Sequence, residues 1–247
     1  GIDVRQPEMQ FAVVARCPVF GGKMRSFDAT KAKAVPGVKH VIEITSGVAV
    51  VADNTWTAMQ GCRVLEVNWD EGPNAGVSNA TIRKLFAEKA SRPGYVARKE
   101  GDAELALERA AKKIEAVYEV PFLAHATMEP QNCTAHVRQD RCDVWVPTQA
   151  QTNTQNTAAA VTGLKPEAVF VHTTFLGGGF GRRFEADFVR EAVEMSKAVG
   201  GPVKVTWSRE DDFQHDYYRT ASYARFAAGL DADGWPVAWT NRIVCPS

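Results

Sequence analysis

The sequence predicts a mixed α/β (α+β) fold arranged in two successive parts. Runs rich in β-branched and aromatic residues alternate with runs whose apolar residues recur at helical spacing. Turn-forming residues cluster at 70–76, and the run Ser91-Arg92-Pro93-Gly94 interrupts the helical pattern that follows. Because domain boundaries fall in such segments, we expect one within about ten residues of position 100. The predicted domains are residues 1–100 and 101–247.

In the first part, strands and short helices alternate. Pro36-Gly37 marks a turn after the first helical run, and Asn54-Thr55 can cap the helix that begins at Trp56. The predicted strands are residues 9–17, 38–44, 47–52 and 64–69, and the predicted helices are residues 27–34, 56–62 and 79–90.

In the second part, β-rich runs dominate and two longer helices stand between them. The later of these helices has a one-sided apolar stripe and ends at Gly200-Gly201-Pro202. A hairpin turn at 231–234 joins the last two strands. The predicted helices are 102–113, 149–162 and 184–199, and the predicted strands are 114–122, 133–138, 142–146, 168–176, 203–208, 221–230 and 235–244.

The run between the strand at 168–176 and the helix at 184–199 is rich in glycine and ends in two arginines, Arg182 and Arg183. Glycine has no Cβ, so it allows the backbone to approach a ligand closely and to adopt positive φ. A loop that enters a helix directs unpaired N–H groups at an anion, and arginine adds forked donors that suit phosphate. The run therefore predicts a seat for a large anionic ligand, although a simple strand-to-helix turn remains an alternative.

Two familiar phosphate loops do not fit this run. In the dinucleotide fingerprint G-x-G-x-x-G, counting from Gly177 places Arg182 where the third glycine belongs. In the nucleotide loop G-x-x-x-x-G-K-S/T, a lysine and a hydroxyl residue follow the last glycine, and neither follows Gly181.

The composition argues against several other classes of function. Lys+Arg and Asp+Glu both number 29, so no global field recruits nucleic acid or an anionic membrane. No run approaches the roughly 18 apolar residues of a membrane span. The five cysteines are scattered without C-x-x-C or iron–sulfur spacing, which predicts free thiols and no cluster in this chain. His125 and His136 lack zinc-like spacing and are interpreted as ordinary strand histidines.

Five segments in a fixed order carry a family resemblance: residues 123–135, 145–151, 169–183, 203–212 and 229–234. In this order they resemble the molybdenum-binding large (beta) subunit of the xanthine dehydrogenase and aldehyde oxidase family, and most of all its isoquinoline 1-oxidoreductase branch. The resemblance implies a small hammerhead-type α/β domain followed by the first part of a molybdopterin-binding domain. Because Gly1 stands where an initiator methionine is expected, we interpret the chain as a fragment of a longer subunit.

The resemblance also implies which residues hold the cofactor, molybdopterin with molybdenum, in the cytosine dinucleotide form. Gln149 matches the glutamine that hydrogen-bonds an oxygen ligand of the metal; alternatively it is a polar residue at a helix start beside the cap candidate Thr148. Phe180 and Gly181 match a Phe-Gly pair whose backbone lies against the metal centre, although an ordinary core aromatic is the simpler interpretation of Phe180. The cofactor-binding residues implied are Gln149, Gly178, Gly179, Phe180, Gly181 and Arg182.

No direct metal ligand and no catalytic residue are expected in this chain, because the general-base glutamate of the family lies beyond its C-terminal end. The resemblance implies oxidation of an N-heteroaromatic ring or an aldehyde with oxygen from water. The expected partners are the remainder of the large subunit and a small iron–sulfur subunit with two 2Fe–2S clusters, which receives the electrons. We expect the isolated chain to be inactive. The compartment, bacterial periplasm or cytoplasm, stays open.

One departure from the family concerns the substrate. Purine-oxidising relatives carry a glutamate shortly after the loop, where this chain has Phe184, and Glu185 comes one residue late. We therefore expect a flat, less polar substrate. Two other hypotheses remain open: a non-catalytic module that binds an anion or nucleotide, and a degenerate structural protein. Glu129, which precedes a proline, is predicted to bond backbone groups rather than to act as an acid or base.

Overall fold

The computed structural model describes residues 1–246 and confirms the mixed α/β fold. Its strands are β1 (Gln10–Arg16), β2 (Lys23–Asp28), β3 (Val38–Ile44), β4 (Gly47–Ala52), β5 (Glu66–Asp70), β6 (Lys112–Val120), β7 (Asn132–Val137), β8 (Cys142–Val146), β9 (Val169–Thr173), β10 (Val203–Thr206), β11 (Ser222–Leu230) and β12 (Pro236–Val244). Its α-helices are α1 (Thr30–Lys33), α2 (Thr55–Arg63), α3 (Asn79–Ala90), α4 (Ala103–Arg109), α5 (Gln151–Thr162), α6 (Asp187–Val199) and α7 (Arg209–Gln214). Within the described residues, none of these helices is both long and apolar enough to cross a membrane.

The chain forms two compact units, and each is built from two separate segments. The first contains Gly1–Ala75 and Ala124–Tyr217, and the second contains Gly76–Leu123 and the residues from Tyr218 onward. The sequence predicted two consecutive domains, 1–100 and 101–247, and this division remains a prediction.

The first unit is organised around a seven-stranded mixed sheet in the order β3-β4-β1-β10-β7-β8-β9. All of β4 is buried, as expected for a strand of continuous small and β-branched residues covered on both faces. Helix α6 supplies Phe188, Val189 and Met195, which are fully buried in the same apolar core as the sheet. The one-sided stripe of α6 thus explains why this helix lies against the sheet.

The second unit contains a three-stranded antiparallel sheet in the order β12-β11-β6, together with α3 and α4. Ser78 caps α3 through a reciprocal capping box with Thr81, and Asp102 caps α4 by accepting a hydrogen bond from the Leu105 N–H. The predicted hairpin is present between β11 and β12, where the Asp231 N–H donates to the Trp235 carbonyl and the Asp231 side chain accepts from the Trp235 N–H.

Several element boundaries differ from the prediction. The helix predicted at 102–113 ends at Arg109, because Lys112 and Lys113 already pair with β11. The helix predicted at 27–34 keeps only α1, since residues up to Asp28 form β2, which pairs with β5 and was not predicted. Helix α7 was also missed, although Ser208 and Asp211 form the capping box that marks its start.

Near the glycine run, three predicted boundaries shift by two or three residues. Strand β9 ends at Thr173, so the loop is longer than predicted. Helix α6 begins at Asp187 rather than 184, after a short 3-10 turn at Arg182–Phe184. Helix α5 begins at Gln151 rather than 149, which leaves Gln149 in the preceding loop.

Candidate functional site

Four chain segments meet at one edge of the seven-stranded sheet. Strands β8, β9 and β10 run in the same direction, and β7 runs opposite to them. The segments that follow β8, β9 and β10 therefore share an edge with the segment that precedes β7. In open α/β sheets this carboxyl edge is where ligands bind. It collects residues 124–131, 147–150, 174–186 and 207–217, which include every predicted cofactor-binding residue.

The loop between β9 and α6 has an unusual backbone. Gly178 and Gly181 have φ of 99° and 102°, and Phe180 has φ of 53°. Positive φ is uncommon outside glycine, and such a conformation costs about 1–3 kcal/mol and clusters at ligand sites. The Phe180 side chain is 63% exposed. The alternative that Phe180 is an ordinary core aromatic is therefore wrong.

Gln149 lies directly against this loop. Its backbone N–H donates to the carbonyl of Arg183 (3.0 Å), and its Oε1 accepts from the backbone N–H of Gly181 (3.1 Å). A Cβ placed on Gly179 would lie 2.5 Å from Gln149 Oε1, so only glycine allows this approach. The exposed Nε2 of Gln149 has no hydrogen-bond partner among residues 1–246. Gln149, Gly178, Gly179, Phe180 and Gly181 thus form one surface, which we call the cradle.

The alternative role of Gln149 at a helix start is not what the structure shows. The N-cap position of α5 is Ala150, which makes no side-chain cap. The Thr148 hydroxyl accepts a hydrogen bond from the Ala150 N–H (3.0 Å) and so organises the turn before the helix. Gln149 is consequently left to face the loop.

The two arginines after the loop point into the fold rather than toward a ligand. Arg182 is 1% exposed and binds Asp187 through Nη1 (3.0 Å) and Nη2 (2.7 Å), with its Nε 2.9 Å from Asp216. Arg183 is fully buried. The expectation that their side chains offer donors to a phosphate is therefore wrong. Both guanidinium groups lie inside the fold and bind internal carboxylates and carbonyls, and in this way they support the loop.

Glu129 and Arg183 hold the start of the loop. Arg183 donates to the carbonyl of Gly178 (2.7 Å) and to Glu129 Oε2 (3.1 Å), and the Gly177 N–H donates to the same Oε2 (3.1 Å). Burial opposes ionisation of Glu129, but hydrogen bonds from the Ile2 and Gly177 N–H groups and the charge of Arg183 hold its pKa below the ordinary value of a glutamate. An ionised Glu129 that bonds backbone groups is what the sequence predicted.

The sequence did not predict a pairing between His125 and Asp216. His125 lies outside the strands, and its Nδ1 is 3.0 Å from Asp216 Oδ1. Asp216 follows α7 and carried no sequence signal. His136, by contrast, lies in β7, where its Nδ1 is 3.0 Å from the Arg138 guanidinium. Across the described residues, no group of three His, Cys, Asp or Glu side chains is arranged to hold a metal ion.

Residues 87–245 match the family model of the molybdopterin cofactor-binding domain. The chain therefore belongs to the molybdopterin cofactor-binding domain family. It is 31% identical to the isoquinoline 1-oxidoreductase subunit beta of Brevundimonas diminuta, covering 100% of this chain and 33% of that protein. It is 29% identical to a membrane-bound aldehyde dehydrogenase (pyrroloquinoline-quinone) of Gluconacetobacter polyoxogenes, covering 96% of this chain and 34% of that protein.

Solved structures share the fold at lower identity. Quinoline 2-oxidoreductase from Pseudomonas putida 86 aligns with a TM-score of 0.75 at 18% identity, over 98% of this chain and 36% of that chain. Aldehyde oxidoreductase from Desulfovibrio gigas aligns with a TM-score of 0.74 at 16% identity, over 96% of this chain and 31% of that chain. The predicted resemblance to the xanthine dehydrogenase and aldehyde oxidase family is thus confirmed. The chain spans about a third of the length of these curated relatives.

The cradle combines an open glycine backbone with the amide group of Gln149. Glycine at Gly179 and positive φ at Gly178 and Gly181 bring the backbone to the surface without a side chain in the way. The amide of Gln149 presents an unpartnered Nε2 donor beside that backbone. The donor set thus suits a cofactor rich in oxygen and ring-nitrogen acceptors.

Proposed function

We propose that the cradle binds molybdopterin in the large subunit of a molybdenum hydroxylase that oxidises an N-heteroaromatic ring or an aldehyde. The observation that supports this most directly is the convergence of Gln149 with a glycine loop whose backbone is held in the left-handed region. Membership of the cofactor-binding family supports this class of ligand, and the geometry of the loop supports the choice of residues.

Each cradle residue has a distinct task in this proposal. Gln149 Nε2 donates a hydrogen bond to an acceptor on the cofactor, while its Oε1 holds the Gly181 N–H. Gly178 and Gly179 allow the close approach, and Phe180 presents its ring at the surface. Arg182 takes part by pairing with Asp187 and Asp216 beneath the loop. When bound, molybdopterin supplies the two-electron redox chemistry, and the protein supplies orientation and electrostatics.

The aromatic side chains next to the cradle support a flat, apolar substrate. Phe184 is 59% exposed and stands where purine-oxidising relatives carry a glutamate. A carboxylate there would serve a polar ring, whereas a phenyl side chain favours stacking on an aromatic ring. We expect N-heterocycles such as isoquinoline and simple aromatic aldehydes to be oxidised in preference to purines, which a substrate screen of the intact enzyme tests directly.

Further parts of the proposal concern what lies outside this chain. The cofactor is proposed to be the cytosine dinucleotide form. The electrons are proposed to pass to a small iron–sulfur subunit with two 2Fe–2S clusters, since the five cysteines here have no cluster spacing. The catalytic glutamate and the rest of the cofactor pocket are proposed to come from the remainder of the large subunit. The isolated chain is accordingly expected to be inactive.

The alternative of a simple anion-binding module has less support. It depends on Arg182 and Arg183 as surface donors, and both guanidinium groups are buried against internal carboxylates and carbonyls. It also does not explain why Gln149 lies against the glycine loop.

The proposal is tested by molybdenum analysis of the intact protein, co-expressed with its small subunit in a host that makes the cofactor. The wild type is expected to contain molybdenum in equimolar amount, and Gln149→Ala is expected to retain less. Gln155→Ala is the matched control, because Gln155 bonds the carbonyls of Pro166 and Val169 away from the cradle. A wild-type protein without molybdenum would overturn the proposed function.

A further inference from the structure

His125 and Asp216 form a buried pair beneath the end of the cradle. The Asp216 side chain is 2% exposed and that of His125 is 10% exposed. Asp216 accepts from the backbone N–H of His125 and lies 3.0 Å from its Nδ1. The same carboxylate lies 2.9 Å from Arg182 Nε. The imidazole is therefore fixed in orientation, and its position is coupled to the residue that follows the cradle.

This arrangement determines the hydrogen-bonding character of the ring. An ionised carboxylate only accepts hydrogen bonds, so the Nδ1 that faces Asp216 carries the proton. In the neutral imidazole the other nitrogen, Nε2, is then an acceptor. The partner of one ring nitrogen thus sets the role of the other.

The free nitrogen lies next to the cradle. A Cβ placed on Gly181 would be 3.7 Å from His125 Nε2. Nε2 has no hydrogen-bond partner among residues 1–246, and the atom is not fully buried. It is therefore accessible beside Gly181, and it adds an acceptor to a surface whose other free group, Gln149 Nε2, is a donor.

We infer that His125 is a further binding residue of the cradle, whose Nε2, oriented by Asp216, accepts a hydrogen bond from an N–H or O–H group of the bound cofactor. This inference rests on the proposed function. A pterin ring carries N–H donors, and an acceptor in a fixed position discriminates between the two edges of such a ring. Asp216 is a positioning residue, because it orients the imidazole and also pairs with Arg182 beneath the loop.

Four variants of the intact protein, co-expressed with the small subunit, test the inference. His125→Phe removes the acceptor and keeps the ring shape, whereas His125→Gln keeps an acceptor oxygen. Asp216→Asn allows the amide to donate to Nδ1, which reverses the tautomer and makes Nε2 a donor. The fourth variant combines Asp216→Asn with His125→Phe. His136→Phe is the control, since His136 lies in β7 beside Arg138.

The readouts are the rate of molybdenum loss during prolonged dialysis and the melting temperature. We expect His125→Phe and Asp216→Asn to lose molybdenum about tenfold faster than the wild type, which is the usual effect of removing a supporting contact at a metal site. The double variant should be no worse than either single one, and His125→Gln and His136→Phe should behave like the wild type.

Retention by His125→Phe equal to that of the wild type overturns the inference. It is equally overturned if His125→Gln, with an unchanged melting temperature, loses molybdenum as fast as His125→Phe, because the ring itself would then be what matters. If Asp216→Asn fails to fold after losing its pairing with Arg182, the two His125 variants still decide. A wild type without molybdenum refutes the proposed function and this inference together.

Discussion

Helix α6 has a glycine cluster at each end, and the two clusters contain the same residue type for different physical reasons. The cluster before the helix, Gly177–Gly181, approaches other parts of the chain closely: a Cβ on Gly177 would lie 2.3 Å from Glu129 Cβ, and one on Gly179 would lie 2.5 Å from Gln149 Oε1. The cluster after the helix, Gly200-Gly201, has open space around both positions. There the requirement is conformational, because Gly200 caps α6 with φ of 76°.

Adjacent glycines in a sequence thus have at least two physical explanations. At the end of the helix, glycine serves only to reverse the chain, and nothing needs the space that a side chain would occupy. At the start, glycine allows backbone and Gln149 to form one surface. Substitutions at the two ends, and at the residues that hold them, should therefore separate effects on the cofactor from effects on stability.

The largest effect is expected for Arg183→Met. Arg183 is fully buried and binds both Glu129 and the carbonyl of Gly178, so its removal leaves a partly buried carboxylate without its cation. Breaking a buried pair in this way costs about 3 kcal/mol. We expect the lowest melting temperature of the set, together with loss of molybdenum.

Arg141→Met is the matched control for that change. Arg141 also pairs with a carboxylate, Asp143, but its side chain is 45% exposed, and Asp143 keeps Arg138 and His172 as partners when Arg141 is removed. We therefore expect a loss of only about 1 kcal/mol. Equal destabilisation by the two substitutions would contradict the view that Arg183 fastens the loop from within.

Gly179→Ala should have a smaller effect on folding but a large one on the cofactor. The new methyl group meets the amide of Gln149, which must move and release the Gly181 N–H. We expect molybdenum content to fall by at least about tenfold. The loss of stability should be only about 1 kcal/mol, because the exposed Gln149 side chain can move aside and the main loss is its hydrogen bond with Gly181. Molybdenum analysis and thermal unfolding of the same preparation measure the two effects. Full molybdenum content would show that the cradle does not hold the cofactor.

The sequence was sufficient to predict the elements on either side of the loop. Periodicity and turn residues predicted β8, β9, α5 and α6 to within three residues, because each has a continuous β-rich run or a one-sided stripe. The family resemblance pointed to Gln149 and the glycine loop, and the structure brings these together at one edge of the sheet.

What the sequence did not predict depends on contacts between distant residues. The inward direction of Arg182 requires Asp216, which is 34 positions away and has no local pattern that connects it to the loop. The pairing of His125 with the same carboxylate is similarly long-range. Arginines next to a glycine loop suggest hydrogen-bond donors for an anionic ligand. Only the fold shows that these arginines pair with internal carboxylates instead.

The smallest effects are expected at the C-terminal end of α6, which lies away from the cradle. Gly200→Ala places a side chain in the left-handed region and should cost about 1 kcal/mol. Gly201→Ala meets no neighbouring atom within 4 Å, so stability should change by no more than about 0.5 kcal/mol. Neither substitution should alter molybdenum content, since neither residue contacts the cradle. If Gly201→Ala lowered the molybdenum content as much as Gly179→Ala, a general loosening of α6 would explain both results, and the distinction between the two clusters would be lost.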